Sequence, residues 1–244
     1  MNVAGEDQSS QASKAHPDLI VRLRGLTKTY RQGAIEVPAV RGVDLDLARG
    51  EFTVLAGPSG SGKTTLLNMV GALDTPTAGT VEVDGQTLDQ LSATQLAQMR
   101  LQRIGFVFQA YNLIPVLNAF ENAEYVMLLQ GKTAEMRQRV VSRVLAQVGL
   151  ADLASRRPAE LSGGQQQRVA VARAIASAPA LVLADEPTAN LDSKSATELI
   201  ELMHTLNRTE GMTFLISSHD TKIIERARRV IWLEDGKIVS DSAK

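Results

Sequence analysis

The stretch Gly57-Pro58-Ser59-Gly60-Ser61-Gly62-Lys63-Thr64 decides the fold of this 244-residue chain. It follows the apolar run 52–56 and leads into the segment 65–70, which has the character of a helix. The succession of strand, glycine loop and helix matches the pattern G-x-x-x-x-G-K-[ST] at every fixed position. The alternative is an ordinary turn of glycine and serine before a helix, but the flanking strand and helix are the context that the motif requires.

The residue types in this loop suit the binding of a chain of phosphates. Glycines carry no Cβ, so the backbone can turn several N–H groups inward, and the helix N-terminus adds partial positive charge. Lys63 provides a positive charge for the β- and γ-phosphates, and Thr64 offers a hydroxyl oxygen to Mg²⁺. The loop therefore predicts a site for a nucleoside triphosphate with Mg²⁺.

The composition excludes several classes of function. A hydrophobic fraction of 44% is ordinary for a globular chain, and the net charge of −1 gives no reason to expect a nucleic acid partner. The chain has no cysteine, which excludes disulfides, thiol chemistry and cysteine-based zinc sites. No apolar run approaches the roughly 18 residues that a membrane span requires, so a membrane role is expected to come from a partner.

The pattern of residues changes along the chain in a way that predicts its organisation. Residues 1–17 are polar and lack the apolar core of a signal peptide, so we expect a flexible tail followed by one domain at 18–244. Before the glycine loop, the runs 19–24, 35–40 and 43–47 are strand-like, with a short segment 26–30 after the first, and they predict an antiparallel sheet. Apolar residues at helical spacing over 118–153 predict a small helical subdomain inserted into the main sheet.

Polar residues follow two other predicted strands. Asp185 and Glu186 end the apolar run 181–184, and Gln109 ends the run 104–108. Doubly wound sheets bind ligands at the carboxyl ends of their strands, and adjacent residues of a strand point to opposite sides. One carboxylate could then reach Mg²⁺ while the other faces an attacking water. Alone, the acidic pair could be a solvated turn and the glutamine a surface amide, but the glycine loop upstream favours the functional interpretation of the pair.

The other candidate residues are ambiguous when each is taken alone. Ser162-Gly163-Gly164-Gln165 precedes a helical run and could form a second anion site, although turns often use such glycine pairs. The ring of Tyr30 could stack on a base or simply pack. Asp192 or Ser193 is predicted to cap a helix that runs to about residue 208. His219 could be a packed or surface histidine.

Taken in order, these motifs resemble those of the ATP-hydrolysing subunit of an ABC transporter over residues 19–240. The resemblance implies an α/β fold of the P-loop NTPase class, with a RecA-like parallel sheet core. It also implies an N-terminal antiparallel β subdomain and an inserted α-helical subdomain at about 110–165. The implied activity is hydrolysis of ATP to ADP and phosphate, with ATP and Mg²⁺ as ligands. Because Glu186 and His219 are both present, we expect an active site rather than a degenerate one.

The resemblance also implies a role for individual residues. Glu186 resembles the catalytic carboxylate, His219 the switch histidine that contacts the γ-phosphate, and Gln109 the glutamine that contacts Mg²⁺ or water and senses the membrane subunit. The implied metal-binding residues are Thr64, Gln109 and Asp185. The implied nucleotide-binding residues are Tyr30, Gly57, Pro58, Ser59, Gly60, Ser61, Gly62, Lys63, Thr64, Thr65, Ser162, Gly163, Gly164, Gln165 and Asp192. Tyr30 resembles the aromatic that stacks on adenine, and Asp192 the aspartate of the D-loop.

Two kinds of partner follow from the resemblance. The segment Ser162-Gly163-Gly164 cannot plausibly reach the γ-phosphate bound by its own chain, so it is expected to face the glycine loop of a second copy. Two ATP molecules would then lie between two head-to-tail subunits related by two-fold symmetry. The other partners implied are transmembrane permease subunits, contacted by residues 110–118, which would place the protein at the cytoplasmic face of the inner membrane.

The type of transporter is less strongly specified by the sequence. The segments 31–40, 73–77 and 119–122 are similar to those of ATPases of the lipoprotein-releasing and macrolide-exporter type. An importer subunit is the alternative within transport. A soluble ABC ATPase of DNA repair or translation is a third interpretation, but such proteins usually carry a second ATPase half or a long coiled-coil insertion. A nucleotide-binding module without activity is disfavoured by Glu186.

Overall fold

The computed structural model describes residues 18–33 and 35–243, and the predicted polar tail at 1–17 lies outside the described residues. The strands in this part of the chain are β1 (Leu19–Gln32), β2 (Ile35–Ala48), β3 (Phe52–Ala56), β4 (Ala78–Val83), β5 (Gln86–Thr87), β6 (Ile104–Val107), β7 (Leu181–Asp185), β8 (Phe214–Ser218), β9 (Arg229–Glu234) and β10 (Lys237–Ala243). The helices are α1 (Lys63–Val70), α2 (Ala93–Arg103), α3 (Ala119–Leu129), α4 (Ala134–Gln147), α5 (Gly163–Ile175), α6 (Ser193–Glu210) and α7 (Thr221–Arg226). The predicted α/β fold with an antiparallel N-terminal sheet is confirmed.

The N-terminal sheet has the strand order β2-β1-β4-β5, and its pairs are antiparallel. The sequence predicts two separate short segments in place of each long strand, at 19–24 and 26–30 and again at 35–40 and 43–47. That prediction is wrong, because β1 and β2 each continue through their glycine. Gly25 has φ +55° and Gly42 has φ +72°, and the β1–β2 register shifts between Leu23 and Leu26. A bulge at a glycine lets a ladder change register without ending the strand.

The core sheet has the strand order β10-β9-β3-β8-β7-β6. The strands β9, β3, β8, β7 and β6 run parallel to their neighbours, and β10 closes the edge as an antiparallel hairpin with β9. All residues of β3 and β8 are buried, as expected for central parallel strands covered on both faces. The parallel arrangement brings the carboxyl ends of β3, β6, β7 and β8 to one edge. The residues that follow these strands therefore meet there.

The helices α3 and α4 lie between β6 and β7, in the region where the sequence predicts a helical insertion. Their buried residues Met127, Val141 and Leu145 belong to the same hydrophobic cluster as Val54 and Phe214 of the core sheet. The helix α5 packs against α3 and α4 and also against β6. It therefore connects the helical region to the sheet through one continuous core.

The predicted ends of elements are close to the observed ones. The pattern Ser92-Ala93-Thr94-Gln95 predicts a capping box and a helix that runs to about Arg103, and both are confirmed by α2. Asp192 rather than Ser193 caps α6, which ends at Glu210 before Gly211 in a left-handed conformation. The strand-like runs 229–233 and 237–239 on either side of Asp235-Gly236 predict a closing hairpin, which the structure confirms, with both turn residues at positive φ.

Candidate active site

The glycine loop between β3 and α1 lies in close contact with the backbone of two strands, β9 and β2. Gly57 has φ +147°, and a Cβ there would lie 2.0 Å from the carbonyl oxygen of Leu233. Gly62 has φ +102°, and a Cβ there would lie 2.3 Å from the carbonyl oxygen of Ala39. A side chain at either position would therefore displace backbone of β9 or β2. The sequence motif requires glycine at these two positions for a steric reason that the fold supplies.

Lys63 folds its side chain back over this loop. Its ammonium donates hydrogen bonds to the carbonyl oxygens of Gly57 and Pro58, both at 2.8 Å, and lies 4.0 Å from Glu186 Oε1. Its side chain is 7% exposed, so the positive charge is held in a shielded position. Ser61 Oγ is buried without a hydrogen-bond partner among the described residues. A buried cation beside an unpaired hydroxyl fits a phosphate group as ligand.

Oxygen atoms suited to a hard cation lie beside the start of α1. Thr64 Oγ1 donates a hydrogen bond to Asp185 Oδ1 at 3.0 Å, and Ser217 Oγ donates to the same carboxylate oxygen. In the part of the chain that the structure describes, no group of three His, Asp or Glu residues is placed to hold a metal alone. Mg²⁺ commonly takes one or two protein oxygens together with phosphate and water, so the residues present fit Mg²⁺ bound to a nucleotide.

Glu186 leaves the sheet in a left-handed backbone conformation, with φ +45°. Its N–H donates to both the carbonyl oxygen and the Oγ of Ser217, each at 3.1 Å, which holds this unfavourable geometry. His219 Nδ1 lies 2.9 Å from Glu186 Oε1. The turn thus directs the Glu186 carboxylate into the space in front of Lys63.

A cavity of about 540 Å³ contains most of the predicted catalytic and nucleotide-binding residues. The predicted site residues that line it are Pro58, Ser59, Gly60, Gly62, Lys63, Thr64, Thr65, Gln109, Glu186 and His219. Asp185 reaches the same place through its hydrogen bond from Thr64. The structure therefore brings together residues from four strand ends that are far apart in the sequence. Ser217, which orients both acidic residues, was missed by the sequence reasoning. No spacing in the sequence indicates its role, because Ser217 becomes the neighbour of Asp185 only when β7 pairs with β8.

The segment Ser162 to Gln165 does not line this cavity. Ser162 caps α5: its Oγ accepts from Gln165 N at 3.3 Å, and Gln165 Oε1 accepts from Ser162 N at 2.9 Å. The Gln165 side chain is thus engaged in a capping box. Asp192 likewise caps α6, and hydrogen bonds from Ser195 and from backbone N–H groups lower its pKa. The predicted nucleotide contacts of these residues stay predictions.

Tyr30 also lies outside the lining of the cavity. Its hydroxyl donates to Asp74 Oδ2 at 2.7 Å, and the Lys28 ammonium lies 5.0 Å from the centre of its ring. The side chain is 37% exposed, and desolvation of its covered part raises the pKa of its hydroxyl. The ring is thus held at its edge by a carboxylate and near a face by a cation. Its stacking on adenine stays a prediction.

These features together define a nucleotide-hydrolysing enzyme of the P-loop class. A phosphate-binding loop, a buried lysine, a threonine–aspartate pair and a carboxylate beside a histidine lie around one cavity. This is the set of groups that phosphoryl transfer to water requires, namely charge compensation and a positioned nucleophile.

Comparison with known proteins places the chain within that class. The family model described as ABC transporter matches residues 40–189. The chain is 48% identical to the lipoprotein-releasing system ATP-binding protein LolD of Anaeromyxobacter dehalogenans, over 91% of this chain and 93% of that protein. It is 42% identical to the macrolide export ATP-binding/permease protein MacB of Marinobacter nauticus, over 93% of this chain but 35% of that longer protein.

A solved structure of the ATP-binding cassette MJ0796 in a dimeric post-hydrolysis state, bound to ADP and Pi, superposes with a TM-score of 0.84. It is 40% identical, over 91% of this chain and 98% of that chain. The protein therefore belongs to the ABC transporter family, as one of its ATP-binding, ATP-hydrolysing subunits. The predictions of family, fold class and ATPase activity are confirmed. Within the described residues, no helix has both the length and the apolar character to cross a membrane.

Proposed function

We propose that this protein drives an exporter or a lipoprotein-extruding complex by dimerising around two ATP molecules and hydrolysing them against a membrane permease. The observation that carries the proposal is that the predicted nucleotide-binding residues lie in two separate places in the structure. Loop, metal and catalytic residues share one cavity, whereas Ser162 and Gly163 belong to the N-terminus of α5 outside it. A chain of this kind holds a nucleotide but needs a second copy to complete the enclosure.

The binding of ATP is assigned to the glycine loop and Lys63. The Lys63 ammonium donates to two loop carbonyl oxygens, and in the complex it would donate to β- and γ-phosphate oxygens instead. Ser61 Oγ has no hydrogen-bond partner among the described residues and could donate to a phosphate oxygen as well. Thr64, Asp185 and Gln109 would hold Mg²⁺, which neutralises phosphate charge when bound. These contacts would compensate the charge that phosphoryl transfer concentrates on the terminal phosphate.

Hydrolysis is assigned to Glu186 and His219. The Glu186 carboxylate would orient the attacking water and accept its proton at Oε1 or Oε2. His219, 2.9 Å away, would hold that carboxylate and contact the γ-phosphate. The left-handed backbone of Glu186, held by Ser217, keeps the carboxylate directed into the cavity before a nucleotide binds. Most of the positioning is thus built before the reaction, which is how enzymes lower the cost of orientation.

The partner subunit is inferred to be a second copy of this chain. The solved structure of MJ0796 is described as dimeric and bound to ADP and Pi. Ser162, Gly163 and Gly164 of one copy would then contact the γ-phosphate bound by the other. ATP would hold the two copies together, and loss of the shared phosphate would release them, because a ligand favours the arrangement that it binds better.

The permease is inferred to dock beside the helical region, in contact with residues 110–118. A groove of about 420 Å³, lined in part by Asn112 of this segment, lies between α2, β6, α3 and α5. Its apolar lining includes Leu73, Phe106, Phe108 and Val126, and Arg100 and Arg173 also contribute. An apolar groove of this kind fits a short amphipathic helix. Docking there would place the protein at the cytoplasmic face of the inner membrane. The alternative partner is an importer permease, and the membrane protein that copurifies decides between them.

The dimer model is tested by Glu186→Gln. This change keeps the shape of the side chain but removes its basicity, so hydrolysis is expected to fall by at least about 100-fold while ATP still binds. The trapped ATP is expected to hold the variant as a dimer in gel filtration with light scattering. Glu234→Gln, on the exposed end of β9, is the matched control and should behave as wild type. A Glu186→Gln protein that stays monomeric in saturating ATP would contradict the proposal.

A further inference from the structure

The segment that follows β6 has an irregular backbone. Tyr111 and Asn112 both have left-handed conformations, with φ +58° and φ +50°, and neither is a glycine. Such a pair is unfavourable unless the surroundings hold it. Gln109, two residues earlier, lines the cavity with Lys63 and Glu186. The position of Gln109 therefore depends on what holds residues 108–112.

One group that holds this segment is the guanidinium of Arg173 on α5. Its Nη2 donates to the carbonyl oxygen of Tyr111 at 2.8 Å, and its Nη1 donates to the carbonyl oxygen of Asn112. Burial lowers the pKa of Arg173, because removing its charged guanidinium from water is unfavourable. The two charge-assisted hydrogen bonds offset that cost and fix two consecutive carbonyl groups in the strained turn.

A second group is the side chain of Gln167, which lies on the same helix, N-terminal to Arg173. It is completely buried, and its Nε2 donates to the carbonyl oxygen of Pro187 at 2.7 Å and to that of Phe108 at 3.4 Å. Its Oε1 has no hydrogen-bond partner among the described residues. Burying an unpaired amide oxygen costs free energy. The hydrogen bonds donated by the amide nitrogen are what offsets this cost, so they are the contribution of Gln167 at this position. These donors connect the segment after β6 to the residue that follows Glu186.

The third group is Asn190, in the turn between β7 and α6. Its Nδ2 donates to the carbonyl oxygen of Gln109 at 2.9 Å, and its own carbonyl oxygen accepts from the Tyr111 hydroxyl at 3.4 Å. The backbone of Gln109 is thus attached directly to the loop that carries Asp192. This contact requires a carboxamide at position 190, which an alanine cannot replace.

We propose that Asn190, Gln167 and Arg173 are positioning residues that fix the backbone of residues 108–112 and so direct Gln109 towards the nucleotide. The proposal rests on the proposed role of Gln109 as a contact of Mg²⁺ or of the attacking water. Gln167 and Arg173 both lie on α5, whose first residues follow Ser162. A movement of α5 would therefore move Gln109 with it. Because the start of α5 is proposed to contact the nucleotide of a second copy, that contact would be coupled to the position of Gln109 in this chain.

The test is a double-mutant cycle between Asn190→Ala and Gln109→Ala, with kcat and KM for ATP measured under saturating Mg²⁺. Asn190 is exposed, so its replacement should not affect folding. The loss of one hydrogen bond is expected to lower kcat about fivefold in the wild-type background, with KM little changed. In the Gln109→Ala background the same change is expected to have no further effect, because the two residues act through one another. Lys194→Ala, an exposed residue close by, is the control and should leave both constants unchanged.

Hydrogen exchange in the nucleotide-free protein provides a readout that does not depend on activity. Asn190→Ala and Arg173→Lys should both increase the exchange rate of the amides at 109–112, while the melting temperature of Asn190→Ala stays that of wild type. Unchanged exchange, or an equal fall in kcat in both backgrounds, would overturn the positioning role. If Gln109→Ala keeps wild-type kcat, the role proposed for Gln109 is wrong, and the positioning role is overturned with it. The kcat of Gln109→Ala tells the two failures apart. It stays low if only the positioning role is wrong, and it equals the wild-type value if the role proposed for Gln109 is wrong.

Discussion

At the scale of single residues, the site combines shielded charge with constrained backbone. Glu186 has a left-handed backbone, and Ser217 holds it through two acceptor atoms. Lys63 is buried, and its ammonium is kept in place by carbonyl oxygens of the loop it serves. Groups held in advance need little rearrangement when the ligand arrives, which is the physical basis of electrostatic preorganisation.

Tyr30 is the residue for which the structure adds most to the sequence prediction. Its hydroxyl donates to Asp74, 44 positions away in the sequence, and the Lys28 ammonium lies over its ring. Partial burial opposes ionisation of Asp74, but hydrogen bonds from Lys28 and Tyr30 outweigh it, and the pKa of Asp74 is lowered. The carboxylate therefore stays charged and can hold the phenol edge at neutral pH.

We predict that Tyr30→Ala weakens ATP binding about tenfold while kcat is nearly unchanged, because stacking acts on the base and not on the γ-phosphate. Tyr30→Phe keeps the ring and should lose little affinity. Asp74→Ala should fall between the two, since it frees the ring without removing it. Calorimetric titration with a non-hydrolysable ATP analogue measures the three affinities. Wild-type affinity in Tyr30→Ala would remove Tyr30 from the nucleotide site.

At the scale of elements, α5 has two functions at its first turn. Ser162 forms a capping box with Gln165, and the same hydroxyl is the one proposed to face the nucleotide of a second copy. The cap holds the N–H groups of this turn in order, and it is exposed at the surface. A change at Ser162 therefore has a consequence for stability that must be separated from its consequence for catalysis.

The helix α2 offers a matched control, because Ser92 and Gln95 form the same capping box and neither residue lines the cavity. We predict that Ser162→Ala and Ser92→Ala each cost about 1 kcal/mol of stability. This corresponds to a fall in melting temperature of about 2–4 °C for a domain of this size. Only Ser162→Ala should also lower the ATPase rate. An equal ATPase loss in Ser92→Ala would show that the effect at Ser162 is one of stability.

At the scale of the whole molecule, the two parts of the proposed nucleotide site belong to different regions of one core. The cavity lies at the carboxyl edge of the parallel sheet, and Ser162 lies at the start of α5, next to the helical region. Closing the site with a second copy related by two-fold symmetry makes each copy supply one half to each of two sites.

Mixing two inactive variants tests this arrangement. Lys63→Ala and Ser162→Ala subunits should each have little activity alone. A mixed dimer has one site with both residues intact and one site with neither. An equal mixture is therefore expected to recover at most about a quarter of the wild-type ATPase rate, since half of randomly formed dimers are mixed and each carries one intact site. Recovery of no activity across mixing ratios would contradict the shared site.

The sequence by itself determined the features that depend on neighbouring residues. The glycine loop, the capping box at Ser92 and the closing hairpin follow from residues a few positions apart, whose hydrogen bonds close within a turn. The resemblance of the motifs then extended these local features to a family and an ATPase activity.

The tertiary structure alone decided the contacts between distant segments. Ser217 holds Asp185 and Glu186 across 32 and 31 positions, and Gln167 and Asn190 reach carbonyl groups 59 and 81 positions away. A hydrogen bond of this kind leaves no spacing pattern in the sequence, because the partners become neighbours only when strands, helices and turns pack together. The same holds for the continuity of β1, where pairing with β2 and β4 carries the strand through Gly25. Residues that are adjacent in the sequence determine which chemical groups a motif contains. The orientation of each group depends on packing between elements that are far apart in the sequence.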